Sequence, residues 1–182
     1  IVFIVDEIQA GFCRTGKFFC CEYADVTPDL ITTSKSLAAG FPLSAVVGRS
    51  EMMDAAGSGG LGGTFSGNPV SLAAAKVVIE KMLRDDFAGK ATHIGEVMMP
   101  RLKAMQGKYS VIGDVRGLGA MIALELVKDK ATKEPDKDSV GKSMRYCLEK
   151  CVIILSAGIF SNCIRFLPPR VITDEQLAFV LD

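Results

Sequence analysis

The sequence predicts an α/β fold with part of a parallel sheet, followed by a second lobe of α+β structure. A continuous apolar run at residues 1–5 is typical of a fully buried strand. Two further short apolar runs, at 30–33 and 44–48, are also typical of strands. From about residue 106 the chain changes to short strands interspersed with helical segments, as in a separate α+β lobe. We expect three parts: a portion of a large sheet domain at 1–75, connecting helices at 76–105 and a smaller C-terminal domain at 106–182.

Helix signals follow the first part of the chain. Asn68 is a preferred N-cap residue and Pro69 suits the first helical position, so a helix is predicted from there to about Leu83. A second helix is predicted over about 86–105. The elements predicted beyond it are strands at 111–115 and 120–127 joined by Arg116-Gly117-Leu118-Gly119, a helix at 139–150, strands at 152–155 and 163–166, and a terminal helix opened by Thr173.

Composition excludes several classes of function. Lys+Arg and Asp+Glu are 21 each in 182 residues, so a neutral chain without a basic block offers no electrostatic attraction to nucleic acid or an anionic membrane. No apolar run reaches the ~18 residues of a membrane span. Six cysteines without a CxxC pair, beside a single His, argue against zinc and predict reduced thiols in a cytoplasmic compartment.

The first residues predict that the chain is the C-terminal portion of a longer protein. The run at 1–5 has no initiator Met. A strand that is apolar on both faces also needs neighbouring structure on both sides.

Polar residues stand where two predicted strands end. Asp6 follows the first strand and Lys35 the second, and open parallel sheets bind ligands at the carboxyl ends of their strands. A glycine-rich stretch at 57–67, which contains Thr64, then leads into a helix N-terminus suited to phosphate. Pyridoxal phosphate (PLP) requires a lysine for its Schiff base and an acid that keeps the pyridine nitrogen protonated. These residues therefore predict a PLP site.

Two other motifs are imperfect. Residues 1–7 fit an apolar strand ending in Asp-Glu, and 11–17 nearly fit the GxxxxGK phosphate loop. Phe18, however, stands where that loop needs a magnesium-binding Ser or Thr, and the two motifs follow each other without an intervening strand and helix. Residues 57–62 match GxGxxG but do not follow a strand. The sequence therefore argues against an NTPase and a dinucleotide-binding fold.

Short motifs along almost the whole chain resemble one family. They are Asp6-Glu7-Ile8-Gln9-Ala10-Gly11, Ser34-Lys35-Ser36-Leu37, the stretch at 42–48, Gly62-Gly63-Thr64-Phe65, Arg116-Gly117-Leu118-Gly119 and Ile164-Arg165-Phe166-Leu167-Pro168-Pro169. Each is short, but the set at these spacings is specific. The chain resembles the class III (subgroup II) PLP-dependent aminotransferases of fold type I, and within them the 4-aminobutyrate aminotransferases.

The resemblance implies roles for residues of the first part. Lys35 would be the Schiff-base lysine and the proton shuttle, and Asp6 would bind the pyridinium nitrogen. Ile8 would pack on the ring face. Gln9 would hydrogen-bond the phenolic oxygen.

Two further roles come from the same resemblance. Thr64 would bind the cofactor phosphate, usually that of the neighbouring subunit, so a homodimer with shared sites is implied. Arg165 would clamp the α-carboxylate of glutamate or 2-oxoglutarate with its bidentate guanidinium. Arg14, Arg116 and Glu7 are predicted to be structural, and His93 to lie on a helix surface.

The implied reaction is transamination of an ω-amino acid, with 4-aminobutyrate and 2-oxoglutarate giving succinate semialdehyde and glutamate. Ornithine or acetylornithine aminotransferase and a PLP-dependent aminomutase remain alternatives. Cys13 and Arg170 depart from the residues usual in the family. Because the family's front half holds other cofactor-binding groups, the 182-residue chain alone is expected to bind PLP weakly and to be inactive.

Overall fold

A computed structural model describes all 182 residues. The chain divides into two compact units, residues 1–89 and 90–182. The strands are β1 (Ile4–Asp6), β2 (Leu30–Thr33), β3 (Ala45–Gly48), β4 (Ile112–Leu118), β5 (Met121–Leu126), β6 (Leu155–Ala157) and β7 (Cys163–Phe166). The α-helices are α1 (Ser50–Met53), α2 (Pro69–Arg84), α3 (Phe87–Lys108), α4 (Lys137–Glu149) and α5 (Asp174–Leu181). Short 3-10 helices span Cys20–Ala24, Lys35–Ala38 and Asp54–Ala56.

The first unit contains a three-stranded sheet in the order β1-β2-β3. β1 runs parallel to β2, with Val5 opposite Ile31, as the sequence predicts. β3 is antiparallel to β2, with Val47 opposite Ile31, so the expected parallel arrangement holds only for the first pair. The 34–44 connection is shorter than the dozen or more residues that a parallel crossover generally needs, and β3 therefore returns antiparallel.

β1 is not fully buried within these 182 residues. Ile4 is 55% exposed, and Val5 is only half-buried. β1 is an edge strand that pairs with β2 alone. An apolar run on both faces becomes buried only where other elements cover the strand, and within this chain β1 has one neighbouring strand.

Helix α2 packs on the 3-10 helix Lys35–Ala38. Its Ala75 and Met82 share a buried cluster with Leu37 and Ala38. The predicted start of α2 is confirmed, because the Asn68 side chain accepts hydrogen bonds from the amides of Val70 (3.0 Å) and Ser71 (3.2 Å). The capped helix therefore stabilises the segment that follows β2.

The second unit is a four-stranded antiparallel sheet in the order β4-β5-β7-β6, with helices packed on one face. Burial alternates along β5, where Ile122, Leu124 and Leu126 are buried. These side chains join a core with Met98 of α3 and Leu177 of α5. This alternation is expected for a sheet covered on one face. No helix in either unit combines the length and the apolar character required to traverse a bilayer.

Two boundaries differ from the predicted ones. Residues Arg116 to Leu118 belong to β4, and only Gly119 and Ala120 form the turn, so the segment predicted as a connection is mostly strand. The apolar run at 152–155 pairs only from Leu155 onward. Val152 instead donates its amide to the Cys147 carbonyl (2.8 Å) at the end of α4, and Ile154 is buried in the core.

The last helix begins as predicted. Thr173 caps α5, because its hydroxyl accepts the Gln176 amide (3.2 Å) while the Gln176 side chain accepts the Thr173 amide (3.0 Å). This reciprocal arrangement satisfies two amides that a helix start would otherwise leave unpaired.

Candidate active site

Asp6 and Lys35 lie at the same edge of the first sheet. Asp6 is the last residue of β1 and is in register with Thr32 of β2. β2 ends at Thr33, and Lys35 begins the following 3-10 helix. Because β1 and β2 are parallel, both residues lie at the carboxyl ends of neighbouring strands, and both are exposed. The structure thus places an acid and an amine on the edge where α/β sheets bind ligands.

The backbone at Lys35 is held in an uncommon conformation. Its φ is +47°, in the left-handed region that residues other than glycine rarely adopt. The preceding hydroxyls fix the turn, since Thr33 Oγ1 donates to the Ala45 carbonyl (3.2 Å) and Ser34 Oγ donates to the Leu43 carbonyl (2.9 Å). Leu37 is buried on the other side. Strained conformations that the surroundings maintain in this way are concentrated at functional sites.

The loop after β1 is hydrogen-bonded to the Asp6 carboxylate. The Ile8 amide donates to Asp6 Oδ1 (3.0 Å), and the Glu7 amide donates to the Thr32 carbonyl (2.9 Å). Ile8 and Gln9 occupy the turn that follows and are half-buried. These two candidate residues therefore lie directly beside Asp6.

Glu7 is a buried acid beneath this loop. Only 1% of the Glu7 surface is exposed to solvent. Glu7 Oε1 accepts the Cys21 amide (2.7 Å), whereas Oε2 has no hydrogen-bond partner. Desolvation, followed by the Glu7 charge, raises the pKa of the Cys21 thiol. Glu7 thereby joins the end of β1 to the 3-10 helix Cys20–Ala24.

Thr64 lies in an exposed turn ahead of α2. In that turn the Ser66 amide donates to the Gly63 carbonyl (2.9 Å). Thr64 makes no hydrogen bond to Asp6 or Lys35, so the structure does not join it to the other two candidates directly.

Arg165 belongs to the second unit. It lies on β7, opposite Ala123 of β5 and Leu155 of β6. The residue is half-buried and forms part of the wall of a cavity of about 440 Å³, which Pro168 and Ile172 also line.

An ion-pair cluster of the second unit surrounds Arg116. Its Nη1 lies 2.8 Å from Asp114 Oδ2 and 2.6 Å from Glu125 Oε2. The hydrogen bond to Asp114, and to a lesser extent the one to Glu125, raises the pKa of the Arg116 guanidinium. The hydrogen bond from Arg116 in turn lowers the pKa of the Asp114 carboxyl. Glu125 was not a candidate from the sequence, because only the strand register shows that it faces Arg116. The chain contains no group of three or more His, Cys, Asp or Glu residues arranged to hold a metal ion.

The family profile described as "Aminotransferase class-III" matches residues 1–182. The chain belongs to the class III aminotransferases. It is 48% identical to the "Probable 4-aminobutyrate aminotransferase" of Bacillus subtilis over 97% of its length and 41% of that protein. It is 49% identical to the "4-aminobutyrate aminotransferase" of Mycobacterium leprae, covering 100% of the chain and 41% of the relative. The "5-aminovalerate aminotransferase DavT" of Pseudomonas aeruginosa is 44% identical over 97% of the chain and 42% of the relative.

Solved structures of other aminotransferases share the fold. A Bacillus anthracis aminotransferase superposes with a TM-score of 0.89 at 36% identity, covering 98% of this chain and 42% of the other. The taurine:2-oxoglutarate aminotransferase from Bifidobacterium kashiwanohense, solved in complex with PLP and glutamate, gives a TM-score of 0.89 at 30% identity over 100% of this chain and 42% of that one. The predicted fold type I architecture is therefore confirmed. The class III chain spans about two-fifths of the length of the relatives it matches.

The residues at the sheet edge fit the PLP cofactor of class III aminotransferases. An exposed lysine amine suits the cofactor aldehyde, and a carboxylate anchored by the Ile8 amide suits a protonated ring nitrogen. The donor set therefore agrees with the chemistry that this cofactor requires.

Proposed function

We propose that the complete protein is a PLP-dependent aminotransferase for ω-amino acids, with 4-aminobutyrate as amino donor and 2-oxoglutarate as acceptor. The observation that carries the proposal is the placement of Asp6 and Lys35 at the carboxyl ends of two paired parallel strands. The relatives named as 4-aminobutyrate aminotransferases, at 48% and 49% identity, support the donor. The products would be succinate semialdehyde and glutamate.

Four residues of the sheet edge would hold the cofactor. Lys35 Nζ would bind its aldehyde, Asp6 would pair with the ring nitrogen, Ile8 would pack on the ring face and Gln9 would contact the phenolic oxygen. When bound, PLP supplies an electron sink for the substrate carbon. The protein's own contribution is position and charge: the Asp6 carboxylate holds a proton at the ring nitrogen, and Lys35 Nζ carries the proton that moves during transfer.

Arg165 would bind the α-carboxylate of glutamate or 2-oxoglutarate. A guanidinium offers two parallel N–H donors that match the two oxygens of a carboxylate. β7 is paired on both sides, and this pairing fixes the backbone from which the side chain extends. A rigid strand is better suited than a loop to holding such a group in place.

We further propose a homodimer in which Thr64 contributes to the phosphate site of the neighbouring subunit, in a cytoplasmic enzyme. The segment around Thr64 is exposed, with Leu61 at 62% and Phe65 at 80% exposure, as expected for a surface that meets another chain. Light scattering of the complete protein tests the dimer. The isolated 182-residue chain should show little transamination.

The deciding experiment identifies the lysine that binds PLP covalently. The complete protein is incubated with PLP, reduced with borohydride and digested, and the labelled peptide is expected to contain Lys35. Label on a different lysine would overturn the proposal. Lys17 is a matched internal comparison, because it is also exposed and lies in the same unit.

The identity of the amino donor is tested by comparing the turnover of different amines. Production of succinate semialdehyde from 4-aminobutyrate should exceed turnover of 5-aminovalerate, ornithine and acetylornithine. The relative named 5-aminovalerate aminotransferase makes the five-carbon amine the strongest second candidate. Turnover without any keto acid would instead indicate an aminomutase.

A further inference from the structure

Two arginines share one cross-strand row on the second sheet. Arg116 of β4 and Arg165 of β7 both lie opposite Ala123 of the intervening strand β5. Directly opposed residues point to the same face of a sheet. With a strand spacing of ~4.8 Å, the two backbone positions are ~10 Å apart. Ala123, which lies between the two arginines, has only a methyl side chain.

The next row on the same face carries the acids. Asp114 of β4 lies opposite Glu125 of β5, which in turn lies opposite Cys163 of β7. Glu125 is therefore a diagonal neighbour of both arginines. Diagonal positions in an antiparallel sheet are ~7–8 Å apart, a distance that long side chains can bridge. The sheet register thus allows Glu125 to pair with either Arg116 or Arg165.

The side chains show which pair is formed. Arg116 Nη1 lies 2.6 Å from Glu125 Oε2 and 2.8 Å from Asp114 Oδ2. Its Nη2 extends across β5 to within 3.9 Å of Cys163 Sγ. The Glu125 side chain is 29% exposed, so water screens this pair less than it would a fully exposed one. Arg116 thereby binds the one carboxylate on β5 that can reach Arg165.

We infer that Arg116 is a positioning residue for carboxylate recognition by Arg165. By binding Glu125, it prevents this internal carboxylate from competing with the carboxylate of the substrate. The inference rests on the proposed function, in which Arg165 binds glutamate or 2-oxoglutarate.

The charged residues nearby explain why Arg116 is needed to keep Glu125 away from Arg165. Lys103 is a second cation near this cluster, and its Nζ lies 4.0 Å from Asp114 Oδ1 on the edge strand β4. If Arg116 loses its charge, Arg165 is the remaining arginine within diagonal reach of Glu125. A tethered carboxylate has a high effective concentration, so the substrate carboxylate must then displace it.

The test uses the complete protein loaded with PLP. Arg116→Gln should raise the KM for 2-oxoglutarate and the Kd for glutarate, a dicarboxylate that is not turned over, by about tenfold. The kcat should remain within about twofold, because saturating substrate still displaces Glu125. Calorimetry measures the Kd, which does not depend on turnover.

The double variant separates positioning from a purely structural role. Glu125→Gln alone should leave KM near the wild-type value, and Arg116→Gln/Glu125→Gln should return both KM and Kd to within about twofold of it. If Arg116 only supported the sheet, removing a second member of its cluster would not restore binding. Arg116→Lys keeps a cation beside Glu125 and should raise KM less than Arg116→Gln does, which provides a test if the glutamine variant folds poorly.

Arg165→Gln distinguishes this inference from the proposed function. If that variant binds glutarate as the wild type does, the assignment of Arg165 is wrong. If Arg165→Gln weakens binding while Arg116→Gln does not, or while the double variant stays weak, the role of Arg116 is overturned and Arg165 keeps its proposed function.

Discussion

Asp6 is the last residue of one of two hydrogen-bonded parallel strands, and it is in register with Thr32 of the other, three residues before Lys35. The two side chains therefore start from the same sheet edge although 28 residues separate them in the sequence. The acid is fixed by the Ile8 amide and the lysine by its strained turn. The first predictions concern these two anchors.

Asp6→Asn should remove most of the activity while preserving the fold. An asparagine oxygen can still accept the Ile8 amide, but the negative charge that would stabilise a protonated ring nitrogen is lost. We expect kcat/KM of the PLP-loaded complete protein to fall on the order of 10²-fold or more. Asp54→Asn, which changes an exposed acid in the same unit, should leave activity unchanged. Near-wild-type activity of Asp6→Asn would contradict the role of the carboxylate.

Lys35→Gly should yield a more stable protein than Lys35→Ala. Both substitutions remove the amine, but only glycine adopts the φ of +47° without a Cβ penalty. The difference should be about 1 kcal/mol in the free energy of unfolding by urea. The same pair of substitutions at Lys17, whose φ is not positive, should show the opposite order, because glycine has the greater conformational entropy in the unfolded chain. Equal stability of the two Lys35 variants would mean that the turn stores no strain.

Much of the candidate site followed from local sequence. Asp6 and Lys35 were predicted because polar residues directly follow apolar runs, and the Asn68 cap was predicted from its residue type and the adjacent proline. The Glu125 contact with Arg116 could not be predicted in this way. It depends on the bulge between Ile112 and Asp114, which shifts the register of β4 against β5.

Glu7→Ala should destabilise the first unit strongly. The Glu7 carboxylate is buried and accepts the Cys21 amide at 2.7 Å, so its removal leaves a cavity and an unpaired amide. We expect a loss of about 2–4 kcal/mol in urea unfolding. Glu51→Ala, at an exposed position of α1, should change stability by less than about 0.5 kcal/mol. A small effect at Glu7 would show that the Cys21 amide finds another acceptor.

Gly117→Ala should disrupt the β4–β5 hairpin. The φ of Gly117 is +152°, and a Cβ there would clash with the Met121 carbonyl oxygen and the Ile122 backbone. The strain and the shift of β5 should cost about 2 kcal/mol or more. Gly141→Ala is the matched comparison, because its added Cβ meets open space within α4, and it should stabilise the protein by up to ~1 kcal/mol. Thermal unfolding followed by circular dichroism measures both.

The same hairpin explains why its boundary was predicted incorrectly. A Gly-x-Gly sequence usually indicates a turn, yet Gly117 pairs with Ile122 inside the strand. Glycine is required at position 117 because the backbone of β5 approaches it closely, and this contact is non-local. The exposure of β1 within these 182 residues has a related reason, since an apolar pattern indicates that a strand can be buried without showing which element covers it.

Asp136 should make the stability of the second unit depend on pH. Its carboxylate caps α4 by accepting the Ser139 hydroxyl (2.6 Å) and amide (2.9 Å), and these bonds lower its pKa from the ordinary value of 3.8. A carboxyl whose pKa is lower in the folded state contributes its full stabilisation above 3.8 and loses it as the pH falls through the lower, folded-state value. Asp136→Ala should therefore cost about 1 kcal/mol near pH ~7.

That cost should shrink in acid, because the wild-type carboxyl is then also neutral. Urea unfolding at about pH 7 and about pH 3 measures the difference between wild type and Asp136→Ala at each pH. Asp136→Asn is the control, since an amide oxygen caps the helix without titrating and its difference from Asp136→Ala should stay constant with pH. A cost of Asp136→Ala that is the same at both pH values would show that the cap stabilises α4 without its charge.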